Sequence, residues 1–443
     1  MGKHTIEKNN LSYRILYQYV RQLHDLFYRE VYSINVPDKQ HEKPSIITPN
    51  HQNALMDAVA ILFAKNNPLV FLARGDIFKQ KHVAAILYFL KILPVYRIRD
   101  GYDSLKNNQE TFDHTVRVLK NKRGLVILPE GNHFGAKKLR QLKKGFARIA
   151  FQTELNSDEP INLEIIPTAI DYTSYSSFFN RLTVVFGTPF PLKPYLEEYK
   201  ENPQSALTKI TNDLSEKLKN HIIHIESEEH YDECLAASAI YAENSAKSFT
   251  NQDQQIRFAT QRRVTQALNK ASENAEGLYR TIVDTTQDIL KHTKKLPFEI
   301  IGRKADAGAI VAFILSLLLV PFALPGTIIF GVFWLWPIYF TNKKIQDVQF
   351  RTSVRYVIYL AQFMLILFAA LITFLFVFTL KTAVLLFIST IFSGILSIKI
   401  WHFVRWNFLR AKWAMVQYQN KALRTKMQTL RNAIAEMLKN EPK

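Results

Sequence analysis

His51 and Asp57 stand six positions apart in the stretch TPNHQNALMDA, residues 48–58. An imidazole held by a carboxylate is a general base. The acid fixes the ring tautomer and stabilises the imidazolium, and the other ring nitrogen takes a proton. In an unbroken helix, residues six apart point about 240° away from each other. The pair therefore requires His51 in a loop and Asp57 in the first turns of a helix. The local text provides this: PSIIT is strand-like, Pro49 and Asn50 end it, and Asn53 is a candidate N-cap before ALMDAVAILFA. Taken alone, such a pair is a common coincidence of spacing.

Three further stretches carry residues of the right kind. Arg97 closes a strand-like run in ILPVYRIRDG, residues 92–101, and a guanidinium can grip a phosphate with two parallel bonds. Glu130 and Gly131 follow directly on a strand-like run in GLVILPEGNHFGAKKLRQLKKGFARIAF, residues 124–151. Pro167 sits in LEIIPTAIDY, residues 163–172. Each has a plain structural reading as well. Arg97 lies two positions from Arg99 in a basic stretch, Glu130-Gly131 reads as a turn, and Lys137, Lys138, Lys143 and Lys144 read as a solvated or lipid-facing basic face.

The chemistry these groups suit is transfer of an activated acyl group to an alcohol. A neutral histidine removes the hydroxyl proton as the oxygen attacks, worth typically ~10²–10⁴-fold. A thioester is already activated, so no covalent enzyme intermediate is needed. No Gly-x-Ser-x-Gly elbow is present, and nothing marks the single cysteine, Cys234, as a nucleophile. His51, His114 and His133 lack tight metal-ligand spacing, so no metal is expected.

The four blocks in this order resemble the glycerolipid acyltransferase superfamily, the bacterial lysophosphatidate and glycerol-3-phosphate acyltransferases, over about residues 44–190. The resemblance implies that His51 is the catalytic base and Asp57 its partner, and that Arg97 holds the substrate phosphate. Glu130 and Gly131 match the acidic-glycine pair at the glycerol phosphate site, and Pro167 matches the last block, at the acyl-donor site. The sequence departs from the usual pattern twice. Five residues separate His51 from Asp57 where most members have four, a longer gap shared by some glycerol-3-phosphate acyltransferases. The third block continues with Asn132-His133 where Thr-Arg is usual, which leaves His133, Lys137, Lys138 or Arg140 to replace a phosphate-binding arginine.

The elements that must position these residues read as α/β. Candidate strands are 44–48, 69–73, 92–96, 124–128, 163–168 and 182–186, with helical stretches at 54–65, 77–90, 103–121 and 143–153. Their alternation predicts a mixed sheet flanked by helices. Ahead of it, residues 11–32 place Leu16, Tyr19, Val20, Leu23, Leu26 and Phe27 at helical spacing, with Arg14, Arg21 and Arg29 opposite. Such a helix lies in a membrane interface or packs on its own domain. Residues 200–300 read as a polar, helical accessory region without chemistry of its own.

The 443 residues carry 57 Lys and Arg against 38 Asp and Glu, a net charge of +19. No nucleic-acid-binding motif accompanies the charge, so no nucleic acid partner is expected. Anionic lipid suits it better, because 307–340, 356–380 and 382–398 contain no Asp, Glu, Lys or Arg. Such runs are at or near bilayer-spanning length. Pro321, Pro325 and Gly326 sit mid-way in 307–340, which favours a hairpin turning at 321–326 over one tilted helix. Each arm would be about 21 Å long, short of the hydrocarbon core. An even number of passes would put the basic clusters at 303–304, 343–355 and 399–412 on one, cytoplasmic side.

The expected organisation is thus an N-terminal amphipathic helix (1–35), an acyltransferase domain (36–225), a helical accessory region (226–305), transmembrane or re-entrant helices (306–401) and a basic C-terminal helix beside the membrane (402–443). The resemblance implies acyl-CoA or acyl-carrier protein as co-substrate, no other cofactor, and a glycerophosphate or lysophospholipid acceptor. An integral membrane enzyme acting on 1-acylglycerol-3-phosphate is one reading and a glycerol-3-phosphate acyltransferase the close rival. A non-catalytic membrane-anchored lipid-binding scaffold is the alternative of another class.

Overall fold

Short runs of branched and aromatic residues, punctuated by Pro, Gly and Asn, dictate where strands form. In the computed structural model of the chain, which describes residues 6, 10–37, 43–65, 69–96, 107–121, 123–246, 250–272, 277–293, 296–304 and 306–440, these runs assemble into one mixed eight-stranded sheet. The strands are β1 (Glu30–Ile34), β2 (Ser45–Pro49), β3 (Leu69–Arg74), β4 (Ile92–Val95), β5 (Gly124–Val126), β6 (Glu164–Tyr172), β7 (Arg181–Phe186) and β8 (Phe190–Pro191). Their order is β1-β7-β6-β2-β5-β3-β4, with β8 paired to β6. From β4 to β6 every pairing is parallel, whereas β7 and β8 run antiparallel to β6.

Helix α1 (Leu11–Phe27) precedes the sheet, α2 (Leu55–Ala64), α3 (Lys81–Phe89), α4 (Asn107–Lys120) and α5 (Gly145–Leu155) separate the parallel strands, and α6 (Leu196–Glu201) and α7 (Pro203–Lys219) follow β8. The start of the expected 103–121 helix lies outside the described residues. All five residues of β2 are buried, as in a strand covered on both faces. Ile46, Ile47, Leu125, Val126 and Ile165 form its centre, each contributing roughly 1.5–3 kcal/mol by leaving water.

The chain divides into two compact units. The first takes in residues up to Gln22 with Val31–Tyr175 and Arg181–Ile222; the second takes in Leu23–Glu30, Ser176–Asn180 and Ile223 onward. One sequence expectation changes here, and one open choice is decided. The helix expected over 11–32 ends at Phe27, and Glu30–Ile34 form an edge strand in which Tyr32 and Ile34 are buried. The alternation in VYSI suits a pleat better than a helix face. Helix α1 packs on its own domain, with Tyr17 edge-on to Phe63 at 5.2 Å and Tyr13 edge-on to Phe89 at 6.2 Å, while Leu11 and Ile15 stay exposed.

The second unit holds α8 (Tyr231–Ala242), α9 (Asn251–Ser272), α10 (Leu278–His292), α11 (Phe298–Ile301), α12 (Gly308–Leu317), α13 (Val320–Lys344), α14 (Val348–Val377), α15 (Leu380–Gln419) and α16 (Lys421–Lys439). Helices α8 to α11, the end of α15 and α16 share one core, centred on Ile240, Leu268, Ile282, Trp413, Leu430 and Ile434. This corrects the tail. Residues 402–419 continue the long apolar helix α15, and 421–439 bury Leu423, Met427, Leu430 and Ile434 in protein, so they do not form a basic helix lying beside the membrane.

The hairpin at 321–326 is also corrected. Leu318 and Leu319 keep right-handed helical backbone, and their N–H groups bond three residues back, so the chain tightens there without reversing. Pro321 falls in the first turn of α13, where a missing N–H costs nothing. Among the described residues, helices α13, α14 and α15 are long and apolar enough to cross a membrane. Small residues let two of them approach. A Cβ on Gly326 would overlap the Ser393 carbonyl, and one on Gly394 would lie 2.7 Å from the Phe330 ring.

Candidate active site

Strands β5, β2 and β6 are parallel neighbours, so their carboxyl ends lie side by side. Loops leaving that end of an open α/β sheet are the usual place for a site. Here β2 leads to His51, β5 leads to Glu130, and β6 ends at Tyr172. Asn50 fixes the point of departure. Its amide donates to the Ile170 carbonyl at 3.0 Å and its Oδ1 accepts from the Ile170 N–H at 2.7 Å, extending the β2–β6 pairing beyond Pro49.

The turn from β2 to α2 then brings His51 back over Asp57. Ala54 is the hinge, with φ +46°, a conformation uncommon for a residue with a side chain. His51 Nδ1 lies 2.8 Å from Asp57 Oδ2. The same oxygen accepts from the Gln52 and Asn53 N–H groups, both at 2.7 Å, and Oδ1 accepts from the Tyr172 hydroxyl at 2.9 Å. Asp57 is fully buried, and these four partners offset the cost of keeping a carboxylate out of water. It sits in the first turn of α2, where the helix dipole also favours negative charge. The expected cap, Asn53, is not the N-cap; Ala54 holds that position, and Asp57 does the capping by reaching back to the preceding N–H groups.

Glu130 is 4% exposed, and it holds the His51 loop from the other side. Its Oε1 accepts from the His51 N–H at 2.7 Å and its Oε2 from the Arg140 N–H at 3.2 Å. The Phe134 N–H completes the tie by donating to the His51 carbonyl at 3.0 Å. Burial pushes the Glu130 carboxyl up to about 7, against the lowering effect of the two backbone N–H groups. Gly131 follows with φ +75°, the left-handed turn that glycine adopts without strain. The next residue but one, His133, is half-buried, with its ring edge-on to that of His51 at 5.7 Å between centroids.

The remaining predicted residues are placed as follows. Arg97 lies outside the described residues. Pro167 is buried within β6, opposite Thr48 of β2, and its carbonyl accepts from the Gly187 N–H at 2.8 Å. Lys137 is not on a solvated face: it is 5% exposed and ion-paired with Asp171, next to Tyr172. Of the suggested replacements for a phosphate-binding arginine, Lys137 is therefore already engaged. Arg140 is exposed and lies over the Phe134 ring at 5.7 Å.

The His51 ring thus turns its Nδ1 to Asp57, and His133 and Arg140 lie on the neighbouring loop. Residues 30–171 match the family model described as Acyltransferase. No curated protein matches the sequence. Among solved structures, the chain is similar to the 1-acyl-sn-glycerophosphate (LPA) acyltransferase PlsC from Thermotoga maritima, at 17% identity and a TM-score of 0.31 over 46% of this chain and 79% of that one.

Sequence reasoning about the acyltransferase domain missed Tyr172, Asn50 and Asp171. A signal for Tyr172 existed: a tyrosine ending a buried strand needs a partner for its hydroxyl. Asn50 was read only as a strand breaker, although an asparagine amide can imitate a backbone ladder.

Proposed function

We propose that this chain transfers a fatty acyl group from acyl-CoA or acyl-carrier protein to the hydroxyl of 1-acylglycerol-3-phosphate at a membrane. The observation that carries this is the His51–Asp57 contact at 2.8 Å, on a carboxylate already held by two backbone N–H groups and a tyrosine. Asp57 keeps the proton on Nδ1, so Nε2 is the base. It takes the acceptor's hydroxyl proton as that oxygen attacks the thioester carbonyl. The tetrahedral adduct then expels the thiolate, which leaves with the proton from the imidazolium. Arg97, with His133 or Arg140, holds the acceptor phosphate.

Three long apolar helices in the same chain support a substrate that resides in the bilayer; the acyltransferase domain is proposed to face the cytoplasm, from which the thioester arrives. No cofactor or metal enters the reaction as written. Glycerol-3-phosphate is the rival acceptor, favoured by the five residues between His51 and Asp57. The test is acyl transfer in purified membranes with both acceptors and both donors. We expect transfer to 1-acylglycerol-3-phosphate and a fall of ~10²–10⁴-fold in His51→Ala with membrane insertion unchanged. Unaltered transfer in that variant removes His51 from the reaction. A membrane protein that binds lysophosphatidate but transfers nothing is the scaffold.

A further inference from the structure

A cavity lined by charged and apolar residues lies wholly within the helical unit. Its volume is about 280 Å³, and it is lined by Glu243, Arg303, Lys304, Asp306, Arg410 and Trp413 among others. None of the residues placed around His51 contributes to it. We propose that this cavity binds the phosphate-bearing headgroup of an anionic phospholipid.

The charge pattern fits an anion. Glu243 is shared by Arg257 at 3.7 Å and Arg303 at 3.6 Å, and Asp306 pairs with Arg410 at 3.3 Å. Arg431 reaches the Gly302 carbonyl at 3.1 Å. Among the side chains that line the cavity, three cations, Arg303, Lys304 and Arg410, meet two carboxylates, Glu243 and Asp306. Among the described residues no carboxylate lies within ion-pairing distance of Lys304, whose side chain is exposed. Guanidinium groups suit phosphate oxygens because their forked donors match them in pairs.

The surroundings fit a lipid better than a free phosphate. The rim passes directly into helix α12, where Ala309 lines the cavity and Val311, Ile314 and Leu315 are each more than half exposed. Polar headgroup contacts thus adjoin an apolar surface that acyl chains can cover. Trp413 closes another side, its Nε1 donating to the Arg303 carbonyl at 3.0 Å.

The experiment is native mass spectrometry of the full-length protein in detergent, with phosphatidylglycerol, phosphatidylcholine and inorganic phosphate as separate probes. Phosphatidylglycerol is neither substrate nor product of the proposed transfer, so the His51 site does not compete. We expect phosphatidylglycerol to be retained over phosphatidylcholine, and Lys304→Gln/Arg410→Gln to weaken its retention by about tenfold. Lys304→Gln alone, at an exposed side chain, should weaken it about threefold with unchanged thermal unfolding. Equal retention of the two lipids, or full retention by both variants, overturns the proposal. Inorganic phosphate binding as tightly as phosphatidylglycerol assigns the cavity to free phosphates and overturns the lipid assignment.

Discussion

The Tyr172 hydroxyl donates to Asp57 Oδ1 at 2.9 Å, while the His51 ring takes Oδ2 at 2.8 Å. One buried carboxylate thus has its two oxygens assigned to two different strand ends. Tyr172→Phe removes one of four hydrogen bonds and leaves the His51 contact in place. We expect transfer to fall about five- to tenfold, the worth of one bond of ~1–1.5 kcal/mol. Asp57→Asn alters the tautomer itself, and ~10²–10⁴-fold is expected. Steady-state transfer rates for both variants check this, and an equal loss in the two would mean that Asp57 does no more than hold Tyr172.

Glu130 gives the fold a pH dependence whose sign follows from burial. Its folded-state value of about 7 lies above the ordinary 4.5, so the native state holds this proton more tightly than the unfolded chain. The corresponding stability is fully present below about 4.5 and is lost as pH rises through about 7, in total roughly 3 kcal/mol. Glu130→Gln cannot lose a proton, so the difference in melting temperature between wild type and variant should change from pH 5 to pH 7.5 and then level off. Thermal unfolding across that range measures it. Glutamine accepts only one of the two N–H groups, so transfer should also fall, by about tenfold, as the His51 loop loosens. A pH-independent difference would show that Glu130 titrates alike in both states.

The parallel strands β2 to β5, and the pairing of His51 with Asp57, were legible in the sequence because both rest on local signals. Runs such as PSIIT and LVFLA are bounded by turn residues, and a His–Asp spacing closes within one loop. What was not legible depends on distant partners. Nothing near 421–439 says that its apolar stripe enters a core built from 231–301. Glu130 stood out in the sequence beside Gly131, but its bonds to the His51 and Arg140 backbone were not legible, because they depend on β5 lying beside β2. The proline-rich stretch at 321–326 misled for a simpler reason: composition does not say which turn of a helix a proline occupies, and in the first turn it breaks nothing.

Lys137 and Asp171 form a buried ion pair beside Tyr172. Removing one partner strands a charge in the interior, so Lys137→Ala should cost about 3–5 kcal/mol. Lys137→Met/Asp171→Leu removes both charges and should regain most of that loss. Chemical or thermal unfolding of the two variants checks it. If Lys137→Ala is as stable as wild type, Asp171 has water or another cation available and the pair does not hold the end of β6.

Gly326 and Gly331 lie five residues apart on helix α13 and should respond in opposite ways. A Cβ at Gly326 would overlap the backbone carbonyl of Ser393, which cannot rotate aside, whereas one at Gly331 meets only the Thr327 methyl at 3.6 Å. Close approach at Gly326 also holds Thr327 within 3.0 Å of Ser397 and lets Trp401 donate to Thr327 at 2.9 Å. Gly326→Leu must therefore part α13 from α15 and break these bonds, and a loss of at least ~2 kcal/mol is expected. Gly331→Ala fits its space and lowers the entropy of the unfolded chain, so a gain of about 0.5–1 kcal/mol is expected. Unfolding of both variants in the same detergent decides the matter: a loss at both positions would point to a general intolerance of the apolar helices to larger residues, whereas opposite signs locate the helix contact at Gly326.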